Sequence, residues 1–170
     1  MASNPTDTTG RVVARPTGKG RFQTEVQVRG GALLLDEPRE AGGDGTGPTP
    51  YELLSAALAA CTAMTIQLYA TRKGLTLPPY SVEAAHSIVP AGSSGAAPHD
   101  RFERHVNFAG PIPPEIREKV LDIAEKCPVH RTLMRGFEIV TRAEESEAPD
   151  HVEGEAPRQH ADDMDAACRE

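Results

Sequence analysis

The sequence predicts an α+β domain in which antiparallel sheets surround a long, buried central helix. Three observations carry that prediction. Residues 50–73 hold one unbroken helical pattern that is apolar nearly all round, and a helix of that kind is buried. Ahead of it lie three short alternating segments joined by turn residues, the mark of an antiparallel meander. Behind it come two longer alternating segments and more helix, so strands and helices are grouped rather than strictly alternating.

The first nine residues are polar and predict a loose N-terminus; the folded domain is expected over residues 10–142. Arg11–Arg15 reads as a short strand. Arg21–Arg29 is a better one, with Phe22, Thr24, Val26 and Val28 opposed to Gln23, Glu25 and Gln27. Gly30-Gly31 turns the chain into a third strand, Ala32–Asp36. The next stretch, Glu37–Pro48, holds four glycines and two prolines and predicts a flexible loop.

The central helix has a clear beginning and end. Thr49 suits the cap, Pro50 the first helical position, and Glu52 completes a capping box. Arg72 and Lys73 suit the negative end of the dipole, and Gly74 supplies the stop. Such a helix runs about 36 Å. Leu54, Ala57, Leu58, Cys61, Met64, Thr65 and Leu68 recur at helical spacing, which puts a thiol on the buried stripe.

Ser81–Val89 and Arg101–Ala109 predict a second pair of strands. Their inner faces read Val82, Ala84, His86, Ile88 and Phe102, Arg104, Val106, Phe108. His86 and Arg104 break an otherwise apolar pattern, and such breaks gather at functional or strained sites. Pro113-Pro114-Glu115 opens a helix with Ile116, Val120, Leu121, Ile123 and Ala124 inward. It must end before Pro128, which then opens a short helix with Cys127 as its cap. Phe137–Thr141 predicts a last strand. From residue 143 to 170 the chain is acidic with few large apolar residues, which predicts a disordered tail whose removal leaves fold and thiol chemistry intact.

Length, charge and cysteine usage narrow the function. A chain of 170 residues can bury a sizeable core in one domain. A net charge of −7 with 4% aromatic residues and no Trp argues against nucleic acid or an anionic membrane as partner. No apolar run is read as long enough to span a bilayer and the N-terminus is no signal peptide, so a cytoplasmic location is expected. Three cysteines are too few for a disulfide scaffold.

Cys61 suits a buried apolar site, since free cysteine is among the most buried residue types. Cys127 is different: a thiol at a helix start, with His130 and Arg131 nearby, sits where thiol pKa falls. Two cysteines at structurally marked positions fit a reactive thiolate and a resolving partner. A reactive Cys61, in apolar surroundings and far from the helix ends, needs an imported cation. Arg39 in the loop and Arg104 on the strand are the candidates, Glu52 could orient either, and His86 or His130 could move protons. Cys127-x-x-His130 with Cys61 and His86 also spells a soft metal set, but no second cysteine pair supports it, and the reading requires no metal and no cofactor.

The run Gly-Pro-Thr-Pro-Tyr-Glu-Leu-Leu-Ser-Ala-Ala-Leu-Ala-Ala-Cys-Thr-Ala-Met-Thr, followed by Lys-Cys-Pro-Val-His-Arg-Thr-Leu, resembles the OsmC/Ohr family of thiol peroxidases from about residue 10 to residue 142. The resemblance implies an OsmC-like intertwined homodimer with two buried active sites near the interface. It implies reduction of organic hydroperoxides, and hydrogen peroxide more weakly, with an external dithiol as reductant. It gives Cys61 the attack on peroxide and Cys127 the resolution, through a Cys61 sulfenic acid and a Cys61–Cys127 disulfide. In the organic-hydroperoxide branch a Glu ten residues before the first Cys pairs with the catalytic Arg. Tyr51 stands at that position here, with Glu52 one place on. The alternative is a non-catalytic dimeric stress protein that binds a small apolar or thiol-reactive ligand.

Overall fold

The computed structural model describes residues 10–91, 97–143, 145 and 159–169. The N-terminus expected to be loose, residues 1–9, lies outside them, as do parts of the loop 90–98 and most of 143–158. The chain divides into two units, residues 1–50 with 139–158 and residues 51–138 with 159–170.

The first unit carries the predicted meander. Strands β1 (Val13–Pro16), β2 (Thr24–Val28) and β3 (Gly31–Leu35) pair antiparallel in the order β1-β2-β3. The β2–β3 turn is tight, because Val28 lies opposite Gly31, and Gly30 takes a φ of 90° that favours glycine. The loop after β3 is more ordered than its composition suggests. Arg39–Ala41 make a 3-10 turn, and the buried Asp36 carboxylate accepts from Glu37 N, Asp44 N, Thr46 N and Thr46 Oγ1 at 2.8–3.2 Å. One carboxylate holding four donors replaces the core that a Gly-rich loop lacks.

The second unit is built on α1 (Pro50–Lys73), whose buried residues include Ser55, Leu58, Cys61, Thr62, Thr65, Ile66 and Ala70. Gly74, with φ 63°, ends it while the amide of Leu75 bonds back to the carbonyl of Ala70. With 24 residues, and a mean hydropathy of 1.5 over its most apolar 18, α1 is long and apolar enough to cross a membrane by length and composition, contrary to the expectation that no run is. Of the expected stripe, Leu54, Ala57 and Met64 are exposed; the buried face is shifted around the helix, where Ile66 packs with Val120, Ile123 and Ala124 of α2 (Pro114–Glu125), beside Tyr80, Val82, Val106 and Phe108. Those last four come from strands β4 (Tyr80–Val89) and β5 (His99–Phe108), which form the expected antiparallel hairpin. Leu121 of α2, expected inward, is exposed. Helix α3 (Pro128–Arg135) follows at once, capped by Cys127 as predicted.

Two expectations fail toward the C-terminus. Residues 137–141 form no strand, and Phe137, Ile139 and Val140 stand exposed; a strand needs a neighbour's ladder, and no described strand offers one. Residues expected in a disordered tail instead include helix α4 (Gln159–Ala167), with Ala167 and Cys168 buried. Arg72 of α1 holds it by an ion pair to Asp165 and by donating to the Asp165 carbonyl at 3.0 Å. A helix of so few residues is marginal alone and is stabilised by docking.

Candidate active site

The second unit brings the two predicted thiols together. Cys61 lies halfway along α1, and Cys127 caps α3, whose first free amides point at both sulfurs. Val129 N donates to Cys61 Sγ at 3.4 Å and His130 N to Cys127 Sγ at 3.3 Å. The two side chains are hydrogen-bonded to each other, and neither is in a disulfide. Pro128 is what makes this possible: it keeps Cys127 out of α2, which ends at Glu125, and starts α3 with its donors free.

The pair shares one proton unequally. The hydrogen bond from Cys61 is the main reason that Cys127 is pulled down to about 5, against the cost of burial. The Thr62 hydroxyl at 3.5 Å, the His130 amide and the Arg104 charge act in the same direction. Cys61 is pushed the other way, first by its bond to Cys127 and then by burial. At neutral pH the arrangement is a Cys127 thiolate accepting from a Cys61 thiol.

Arg104 is the cation that β5 imports, and it serves Cys127 rather than Cys61. It lies opposite Ala84 in the hairpin, a residue small enough to leave the guanidinium a path inward. Its Nη1 donates to Thr62 Oγ1 at 2.9 Å and to the Ala124 carbonyl at 3.0 Å, and its Nη2 to Glu125 Oε1 at 2.9 Å. The other Glu125 oxygen is 3.2 Å from His130 Nε2. Glu125 is largely exposed, so its pairing adds little stability by itself; it fixes where the guanidinium points. This Arg–Glu pair is drawn from β5 and α2 instead of from the start of α1.

His86, the other break in the strand pattern, turns away from the thiols. Its ring stacks on Tyr51 with centroids 4.0 Å apart and meets Asp100 Oδ1 at 2.7 Å. The metal set therefore does not assemble, and among the described residues no three His, Cys, Asp or Glu side chains gather as a metal site. Tyr51 and Asp100 line one wall of a cavity of about 620 Å³, with Arg104, Glu125 and His130 as further polar groups. Leu54, Leu58, Phe102, Leu133, Met134 and Phe137 make the apolar lining. Leu58, Phe102 and Leu133 also pack against the Cys61–Cys127 cluster, so they form the partition between cavity and sulfurs. A volume of this size suits a small organic molecule.

The remaining candidates do less. Arg39 belongs to the first unit, where its Nε donates to the Asp44 carbonyl at 3.3 Å. Glu52 is exposed on the first turn of α1. Three residues at the thiols escaped the sequence reading. Thr62 and Glu125 directly precede or follow singled-out positions but have no signal of their own. His160 of α4, with Nε2 at 3.2 Å from Cys61 Sγ, lies in the segment read as structureless.

Comparison with known proteins identifies the family and the fold. Residues 43–142 match the model of the OsmC-like protein family. An organic hydroperoxide resistance protein OsmC from Legionella pneumophila is 25% identical with a TM-score of 0.57, over 75% of this chain and 90% of that one. The organic hydroperoxide resistance protein OhrB of Bacillus subtilis is 22% identical with a TM-score of 0.55, over 75% and 91%. An OsmC-like protein from Mycoplasma pneumoniae is 22% identical with a TM-score of 0.52, over 75% and 89%. No curated protein matches the chain.

Proposed function

The chain belongs to the OsmC-like protein family, and from that premise we propose that it is a cysteine-based peroxidase that reduces organic hydroperoxides. The observation that carries the reading is the hydrogen-bonded Cys61–Cys127 pair, held with one thiolate beneath a largely apolar cavity. Cys61 loses its proton and its sulfur attacks the distal peroxide oxygen. An S–O bond forms, the O–O bond breaks, and the alkoxide takes up a proton and leaves as alcohol. Cys127 thiolate then attacks the Cys61 sulfenic sulfur; the disulfide forms and hydroxide leaves as water. An external dithiol restores both thiols by exchange.

The division of labour follows from the surroundings of each sulfur. Cys127 is wholly buried and its sulfur accepts from Cys61, Thr62 and His130. A thiolate so stabilised is a weaker nucleophile toward peroxide, yet it is already ionised for the later attack on sulfenic sulfur. Arg104 and Glu125 take the part that the family branch gives to an Arg–Glu pair anchored where Tyr51 now stands. The apolar lining favours an organic peroxide over hydrogen peroxide. With a dithiol such as dihydrolipoamide, steady consumption of tert-butyl and cumene hydroperoxide is expected, and slower consumption of hydrogen peroxide. One observation favours a second reading, a non-catalytic dimeric binder of a small apolar or thiol-reactive ligand: neither sulfur is among the cavity-lining residues. A ligand-binding protein that never turns over with any dithiol would establish it.

The proposed assembly is a homodimer. Leu54 and Met64 of the central helix and the unpaired apolar run Phe137, Ile139, Val140 are all exposed, surface that a second copy would cover. Light scattering should give twice the chain mass at micromolar concentration; a stable monomer would refute the assembly.

A further inference from the structure

The attack on peroxide leaves one requirement unmet by the residues described so far. Cys61 must give up a proton, and the alkoxide must receive one. Arg104 donates to Thr62, Ala124 and Glu125 on the side of Cys127, and a guanidinium accepts no proton. Val129 N, the backbone donor at Cys61, can stabilise a thiolate but cannot accept its proton. Cys127, its thiolate stabilised by Thr62, the His130 amide and Arg104, is a weak base for that proton.

Helix α4 supplies what is missing. It lies beyond the stretch that matches the family, residues 43–142. Its C-terminal end is anchored to α1 through Arg72 and Asp165 and through Cys168, whose sulfur lies 3.8 Å from the Thr65 carbonyl. Its first turn delivers His160, half-buried, with Nε2 3.2 Å from Cys61 Sγ. Imidazole is the side chain suited to taking and giving a proton near neutral pH.

We propose that His160 is the proton carrier of the peroxide step. With its own proton on Nδ1, the ring accepts the Cys61 thiol proton at Nε2 once the S–H turns from Cys127 toward it, as the sulfur attacks. It returns that proton to the alkoxide oxygen as the O–O bond breaks. The net change is thiol plus hydroperoxide to sulfenic acid plus alcohol, with no other proton source required. Cys127 stays ionised throughout. The inference rests on the peroxidase reading of the thiol pair and adds a residue and a helix to it.

The test is His160→Gln in the full-length protein, which keeps a polar side chain of similar size but cannot carry a proton. Single-turnover rates are measured with tert-butyl hydroperoxide, whose alkoxide needs a proton to leave, and with peracetic acid, whose carboxylate does not. The expected loss is about 100-fold for the alkyl hydroperoxide and at least about tenfold less for the peracid. Arg72→Met, remote from the cavity, loosens the anchor of α4 and should reproduce the same selectivity in weaker form. Equal losses with both oxidants would reduce His160 to packing, and an unchanged rate would remove it from the reaction; either overturns the proposal while the peroxidase reading stands. A wild-type protein that consumes neither oxidant overturns the peroxidase reading and this inference with it.

Discussion

Cys61→Ser is expected to consume no hydroperoxide, whereas Cys127→Ser is expected to consume about one equivalent and stop. The two variants differ in kind because the two sulfurs have different surroundings. Serine at position 61 removes the only nucleophile that the proposed step uses, since a hydroxyl is far less nucleophilic than a thiolate. Serine at position 127 leaves that nucleophile with its Val129 and His160 neighbours but removes the thiolate that closes the disulfide. The stalled product is a Cys61 sulfenic acid, trappable by dimedone and visible as an added mass on intact protein. The structure sharpens this test, because the ground-state charge sits on Cys127. If Cys127→Ser is inert and Cys61→Ser reacts normally, Cys127 is the attacking residue and the roles are reversed.

Arg104→Gln is expected to slow disulfide formation by up to about tenfold at weakly acidic pH, with the loss shrinking as pH rises through neutrality. The sign follows from the charges. The hydrogen bond from Cys61, the Thr62 hydroxyl, the His130 amide and the Arg104 charge together hold Cys127 at about 5, so the wild-type thiolate is present from weakly acidic pH upward. Removing the guanidinium takes away its charge and its bond to Thr62, and Cys127 then keeps its proton to higher pH. Below the new midpoint the thiolate fraction falls tenfold per pH unit; well above it both proteins are ionised alike. Thiolate absorbance near 240 nm, followed from pH 4 to 10, should show the rising limb displaced to higher pH. A loss that is equal at every pH would mean that Arg104 acts on packing alone. Glu125→Gln, which leaves the guanidinium in place and removes a nearby negative charge, should displace the limb little, and to lower pH rather than higher.

The sequence by itself determined those features that depend on neighbouring residues along the chain. Pro50 and Gly74 bound α1, Pro128 forces Cys127 into the cap, and the alternation in β4 and β5 puts His86 and Arg104 on the inner face. Each is a local rule: a fixed φ, a missing amide, a period of two or 3.6. The two-thiol motif belongs here as well, because each cysteine is marked by its own element.

Tertiary structure alone decided which groups meet. The Thr62–Cys127 and His160–Cys61 contacts join residues 65 and 99 positions apart, and no periodicity encodes the partner of an inward side chain. Arg104 could have faced either sulfur; the small Ala84 opposite it and the Ala124 carbonyl turn it toward Cys127. Asp36 orders a Gly-rich loop through four hydrogen bonds that composition does not reveal. Residues 137–141 have strand composition but lack a described strand to pair with, since β structure needs a second strand as α structure does not. Helix α4 shows the converse: its sequence is too short and acidic to predict a helix, and its stability comes from Arg72, Ala167 and Cys168 docking it beside Cys61.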